Sequence, residues 1–578
     1  MSRTGPHNAR KFVAVVGAIA LAGSCVPLAG AAKDDLVLIS RQSAGDGGAG
    51  GDGESASASI SADGRYVAFS SVADNLSSAD NNVVANIFVR DTQTNATTLV
   101  SRQSAGDGGA GGGGDSVNPS ISSDGRYVAF QSHSNNLSSA DDDAFQNIFL
   151  RDTQANTTTL ISRQDAGDGG AGGDGASLKP SISADGRYVA FYSPADNLSS
   201  ADDNAVENVF VRDTQADTTT LISRQSAGDG GAGADDVSLT PSISADGRYV
   251  AFQSFAGNLT TGENAALNVF VRDTQTNATT LVSRQSAGDG AAGANGNSGA
   301  ASISADGRYV AFGSGADNLS SADDNAFDNI FVRDTQADTT TLISRQSAGD
   351  GGDGGAGSSF QPSISADGRY VAFYSLANNL SSADSDQVDV FVRDPQTDAT
   401  TLVSRQSPGD GGAGGDEDSS SPSISADGHY VAFQSLADNL SSLDSDGVID
   451  VFLRDVLGEP PAEPPPTDTT APELAAEAKA KQALGKALKV TVSCDQACTV
   501  DAAATATPKG HAKRAKKLKF KPASAQLAAG VSTKLKLKPT KKTARKLKAA
   551  AKAKASITLT ATDAAANSST ETLKVKLR

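Results

Sequence analysis

The sequence predicts an all-β protein, a seven-bladed β-propeller followed by a small β-sandwich-like domain. Three observations carry this. The motif S-[AS]-D-G-[RH]-Y-V-A-F places its aspartate at 63, 124, 185, 246, 306, 367 and 427, at intervals of 60 or 61 residues. Each unit holds four short β-type runs separated by turn residues. The array lacks one such run at its C-terminal end and has a surplus one at its N-terminal end.

Residues 1–32 read as a signal peptide. Arg3, Arg10 and Lys11 precede the apolar run "FVAVVGAIALAG", and small residues surround Ala29-Gly30-Ala31. The run is too short for a stable bilayer span. Cleavage near Ala31 or Ala32 would give a secreted or cell-envelope protein. An uncleaved anchor, or lipidation at Cys25 in "LAGSC", are the alternatives. No other stretch is apolar enough to cross a membrane.

The propeller is assigned to residues 33–457. In its third unit the strand-like runs are "PSIS" (180–183), "RYVAFYS" (187–193), "NVFVRDT" (208–214) and "TTTLISRQ" (218–225). Asp185-Gly186 signals a hairpin, because glycine takes positive φ without steric cost. Val189 and Phe191 lie on one face of the second run, Tyr188 and Ala190 on the other. A strand apolar on both faces is covered on both sides, as when small sheets stack around a ring. "L[VI]SRQ" occurs seven times, first at Leu38, and "[IV]F[VL]RD" also seven times, last at 451–455. The chain then enters "VLGEPPAEPPP" with no fourth run. Residues 36–43 are therefore expected to supply the fourth strand of blade seven and close the ring, removing exposed edges.

At "SISADGRYVAF" the repeat resembles the TolB-like, or PD40 (WD40-like), β-propeller family over about residues 36–455. The proline that the family sets before Asp-Gly is Ala or Ser here, and His429 replaces the basic residue in the last unit. The resemblance implies an interaction scaffold of the envelope or the extracellular space. The family includes propellers fused to peptidases, so it leaves the role open.

Two connections per unit are long: the glycine-acid loop "SAGDGGAGGDG", and the loop after the second strand, such as "ADNLSSADDNAVEN" (195–208). Both are expected on one face of the ring, the glycine-acid loop as a flexible solvated connector. In the last unit the second loop reads "DSDGVID", and Asp444, Asp446 and Asp450 are candidate Ca²⁺ ligands. Hard cations want several oxygens on a sharply turned backbone. Asp202, Asn204 and Asn208, like Asp323, Asn325 and Asn329, occupy the equivalent places, where turn hydrogen bonding is the simpler reading. There is no G-x-S-x-G, no H-E-x-x-H and only four histidines (His7, His133, His429, His511), so no catalytic residue is assigned. The expectation is a non-enzyme; the alternative is an extracellular cation-dependent hydrolase or lyase. Arg212-Asp213 of "VRD" is expected to be a structural pair.

Residues 458–472 form a Pro-rich linker. Residues 473–578 follow as a Lys-rich, Ig-like β-sandwich domain, with a helix expected over 541–554. From 471 on there are 24 Lys and Arg against 6 Asp and Glu, whereas the rest of the chain has 25 against 61. Cys494 and Cys498, four residues apart in an exported chain, are expected to form a disulfide. An anionic cell-wall polymer is the candidate partner for this module. Phe520 is its only aromatic residue, which argues against specific single-strand nucleic-acid recognition. A protein or glycan partner is expected for the propeller, and a monomeric state for the chain.

Overall fold

Strands that are apolar on both alternating faces fold only where both faces can be covered, and the repeats meet that need by stacking. In the computed structural model they form seven four-stranded antiparallel sheets. The structure describes residues 35–457 and 471–578, except 81, 142–143, 166, 168, 203, 261–265, 324, 383, 385–386, 409–411, 445, 510–516 and 564–566. The expected signal peptide with Cys25, most of the linker, His7 and His511 lie outside the described residues.

Blade three, the third repeat, shows the pattern. Its strands are Leu178–Ile182, Tyr188–Ser193, Asn208–Asp213 and Thr218–Leu221, hydrogen-bonded in that order. Val189 lies opposite Arg212 and Phe191 opposite Phe210, with the two rings stacked 5.9 Å apart. Val189 and Phe191 pack with Ala129 and Ile148 of blade two, while Ala190 packs with Val250 and Phe252 of blade four. Each space between sheets thus holds its own apolar cluster, and each buried Phe contributes roughly 1.5–3 kcal/mol.

The Asp-Gly hairpin also works between blades. Asp185 Oδ1 accepts from Ser183 Oγ at 2.8 Å and from the Arg187 N–H at 2.9 Å. Gly186 has φ +75°, and a Cβ there would lie 2.3 Å from Tyr127 Cδ2 of blade two. Glycine is required twice, by the turn and by the neighbouring ring.

In the last sheet Leu36–Leu38 pairs with Asp450–Asp455, which pairs with Tyr430–Ser435 and then Ser419–Ile424. Leu38 stands opposite Phe452, and the Ile39 N–H donates to the Val451 carbonyl at 2.8 Å. The N-terminal segment closes the ring, though with a shorter ladder than the eight residues expected. On the other side of this sheet, Ile39, Ala432 and Val451 join Ile60, Val67 and Phe69 of the first blade in one cluster.

The chain divides into two compact units, Met1–Glu459 and Pro460–Arg578. The second has a three-stranded sheet of Leu474–Glu477, Leu488–Cys494 and Thr533–Leu537. Its larger sheet is built on Cys498–Lys509, Lys552–Thr562 and Ser568–Leu577. Leu488, Val490, Val500, Leu537, Ile557 and Leu559 fill a common core. Cys494 and Cys498 form a disulfide across the turn between two strands. The helix runs over Lys541–Lys548, with the Thr540 hydroxyl accepting from the Thr543 N–H at 3.1 Å. It stops short of the expected 554 because Lys552 and Lys554 already belong to a strand in register with Lys509 and Thr507. It is the one α-helix among the described residues, none of which forms a helix long and apolar enough to cross a membrane.

Candidate metal centre and axial cavity

The two long loops of each unit meet on one face, and they are stitched together rather than slack. In the loop entering blade four the Arg224 guanidinium donates to the Gly231 carbonyl at 2.9 Å, across a turn at Ala227–Asp229. Gly230 and Gly231 take φ of +104° and +65°, which explains the glycines. Asn258, from the other long loop, donates to the Gly233 carbonyl at 2.9 Å and accepts from the Asp235 N–H at 3.2 Å. The loop expected as a flexible connector is thus hydrogen-bonded at its described residues. Arginine from "SRQ" and the asparagine before Leu-Ser or Leu-Thr satisfy loop backbone groups that water would otherwise have to satisfy.

Within the second long loop, blades one, three and five share one arrangement. In blade one, Asn86 Nδ2 donates to Asp80 Oδ1 (3.2 Å), Asn82 Oδ1 (3.0 Å) and the Val84 carbonyl (3.3 Å). In blade three, Asn208 does the same toward Asp202, Asn204 and Val206 at 3.0–3.4 Å. Asn329 of blade five repeats it with Asp323, Asn325 and Phe327 at 3.1–3.3 Å. The other end of each asparagine accepts from a serine hydroxyl at 2.7 Å: Ser101, Ser223 and Ser344. These loops are filled by an amide, in agreement with the turn reading.

Blade seven departs from this. Asp444, Asp446 and Asp450 stand where Asp80, Asn82 and Asn86 stand in blade one, and ligand oxygens of all three lie within 4.8 Å of one another. The loop backbone keeps its form, because Asp446 Oδ1 accepts the Val448 N–H at 3.2 Å as Asn82 Oδ1 accepts that of Val84 at 3.2 Å. The serine is kept too, with Ser40 Oγ donating to Asp450 Oδ1. What is missing is the amide donor. Asp444 and Asp450 are only 5% and 1% exposed, and neither oxygen of Asp444 has a donor among the described residues. Burial, then the charges of Asp450, Asp438 and Asp446, push the Asp444 carboxyl up to about 7. Burial likewise raises Asp450 to about 6.

The "VRD" arginine and aspartate do not pair with each other. Arg212 is buried and donates to Thr219 Oγ1 (2.9 Å), to Asp217, and to the Gln164 carbonyl leaving blade two (3.1 Å). Asp213 instead binds Arg187 of "DGRY" at 2.6 Å, and that guanidinium lies 4.8 Å from the Tyr188 ring centre. The expected Arg212–Asp213 pair is thus replaced by an Arg187–Asp213 pair and a separate Arg212 network. The separation of 26 residues between Arg187 and Asp213 was the available signal for the true pair.

The sequence reading missed the axis of the ring. The first strands converge on a cavity of about 270 Å³ lined by Ser57, Asn118, Lys179, Gln361 and Ser421, among others. These five residues have φ between +45° and +55°, at a bulge in each first strand. Lys179 Nζ donates to Asn118 Oδ1 at 3.0 Å. The signal lay in the repeat itself: this position and the one before it vary from unit to unit, while the Ser-Ile that follows, such as Ser181-Ile182, does not.

No family model and no curated protein matches the chain. Among solved structures it is similar to a putative TolB from Agrobacterium tumefaciens, at 12% identity over 69% of this chain and 90% of that one, with a TM-score of 0.29. It is also similar to a GH43_1 enzyme from Xanthomonas citri, at 10% identity over 54% and 94%, TM-score 0.24. An ancestral GH74 enzyme matches at 8% identity over 89% and 81%, TM-score 0.21. Likenesses this low carry no argument about substrate or partner, and the fold rests on the sheets themselves. They do correct the expectation of a non-enzyme. Glycoside hydrolases stand beside the TolB chain, so the architecture does not separate a catalyst from a scaffold.

Proposed function

We propose that the chain is a binding protein of the cell envelope whose C-terminal unit grips an anionic polymer, while the propeller offers a second binding surface. One observation carries the first half. Lys554, Lys576 and Lys481 stand side by side on three adjacent strands of the larger sheet, and Lys509 stands opposite Lys552 in the same sheet. On the smaller sheet Lys489 faces Lys536. All of these are exposed, and among the described residues none forms an ion pair. Like charges directly opposite one another destabilise a sheet. The row of three spans about 10 Å at ordinary strand spacing, and a polyanion lying across it would relieve that repulsion. The disulfide and the N-terminal export pattern support a place outside the cytoplasm.

The test uses the whole chain on beads coated with an anionic polymer, against beads coated with a neutral one. Retention on the anionic beads should fall steeply as salt rises from about 0.05 to about 0.5 M. Lys554→Gln with Lys576→Gln should weaken it roughly thirtyfold, at about 1 kcal/mol per lysine near an anionic surface. Salt-insensitive retention, or equal retention on neutral beads, would refute the proposal.

A further inference from the structure

The repeat supplies its own comparison for the acidic site of blade seven. In three sister blades a loop of oxygen acceptors closes around the Nδ2 of an asparagine: two side-chain oxygens and a backbone carbonyl. Blade seven keeps the acceptors and replaces the donor with a fourth acceptor. Val448 occupies the position of Val84, so its carbonyl belongs to the same set. Two of the three carboxylates are buried, no lysine or arginine pairs with them among the described residues, and Asp444 has no donor there. Buried carboxylates need a partner, and several kcal/mol are at stake for each one left without.

We propose that blade seven binds Ca²⁺ through Asp444, Asp446 and Asp450 in the place that an asparagine amide fills in blades one, three and five, and that the ion secures the ring-closing N-terminal segment. The donor set is all oxygen, with no histidine or cysteine, which suits a hard cation and not zinc. Asp446 is exposed and leaves the site open to entering ions. The link to closure is a single hydrogen bond. Asp450 opens the strand on which Leu36–Leu38 is laid, and its Oδ1 holds the hydroxyl of buried Ser40. The same hydroxyl accepts the Val451 N–H at 2.9 Å. An ion that fixes the Asp450 carboxylate therefore fixes the anchor of the N-terminal segment.

The experiment compares chelator-treated wild type with Asp450→Asn, which rebuilds the amide of the sister blades, and with Asp446→Asn, which copies Asn82. Calorimetric titration with CaCl₂, thermal melting and hydrogen exchange are read on each. Wild type should take up one Ca²⁺, melt several degrees higher with it, and exchange more slowly in residues 36–42 but not in the equivalent residues 158–164 of blade two. Asp450→Asn should lose both the binding heat and the shift, and should melt no lower than metal-free wild type. Asp446→Asn should bind about tenfold more weakly, as expected for one charged ligand fewer. Absence of Ca²⁺ heat and shift in wild type would overturn the site, as would undiminished binding by Asp450→Asn. A response to Mg²⁺ alone would overturn the choice of ion. Ca²⁺ binding that leaves exchange in residues 36–42 unchanged would overturn the link to closure.

Discussion

Ile39→Ala measures what the closing segment is worth. Ile39 is fully buried, between blade seven (Ala432, Val451) and blade one (Ile60, Phe69). Its equivalent in blade two, Ile161, is 1% exposed and sits in the matching cluster with Ala129, Ile148 and Phe191. The N-terminal segment, unlike the strand before Ile161, is joined to its sheet only by pairing and packing. If it is a full member of the ring, removing three carbons from Ile39 should cost what it costs at Ile161, about 2–5 kcal/mol. All 9 tyrosines lie between residues 66 and 430 and tryptophan is absent, so tyrosine fluorescence reports the propeller and not the C-terminal unit. Urea unfolding of wild type, Ile39→Ala and Ile161→Ala, followed by that signal, gives the two costs side by side. A loss below about 0.5 kcal/mol at position 39, beside the full cost at 161, would show that the segment frays and that the ring does not depend on it.

Further outcomes test the repeat chemistry. Gly186→Ala should cost about 2–4 kcal/mol, since the methyl meets Tyr127 and the backbone is left-handed, whereas Gly228→Ala, with nothing within 4 Å, should cost under about 1 kcal/mol. Equal melting of the two variants would refute the packing role of the hairpin glycine. Arg212→Met should unfold the propeller at lower urea, by about 1–3 kcal/mol, because the Gln164 carbonyl and the Thr219 hydroxyl lose their donor while the half-exposed Asp217 is solvated. Arg126, Arg187 and Arg308 hold the carboxyls of Asp152, Asp213 and Asp334 below the ordinary range. Their stabilisation is present above about pH 4 and is lost as the pH falls through the depressed folded-state values. Melting temperature should therefore drop on acidification below about pH 4, and Asp213→Asn should flatten that slope.

How much of this was legible follows from where each signal lives. Repeat length, strand count and the displaced first strand are one-dimensional facts, and the period of 60 or 61 residues was enough to predict seven blades and the closure. The Asp-Gly turn was legible because backbone conformation is local, but its second reason, the tyrosine of the blade before, was not. The partner of Asp213 was misjudged because adjacent residues on a strand point to opposite faces, so Arg212 and Asp213 could not pair. The glycine-acid loops looked slack in composition, and only their contacts with Asn258 and its counterparts gave them structure.

The sequence by itself determined the ring, the basic unit behind it and the three aspartates of blade seven. It could not say why those three differ from Asp202, Asn204 and Asn208, because both sets are polar residues at the same spacing. Only the tertiary structure decided that. It buries Asp450 beside Ser40 where Asn208 buries its amide beside Ser223, and a buried carboxylate, unlike a buried amide, needs a cation or a proton to balance it.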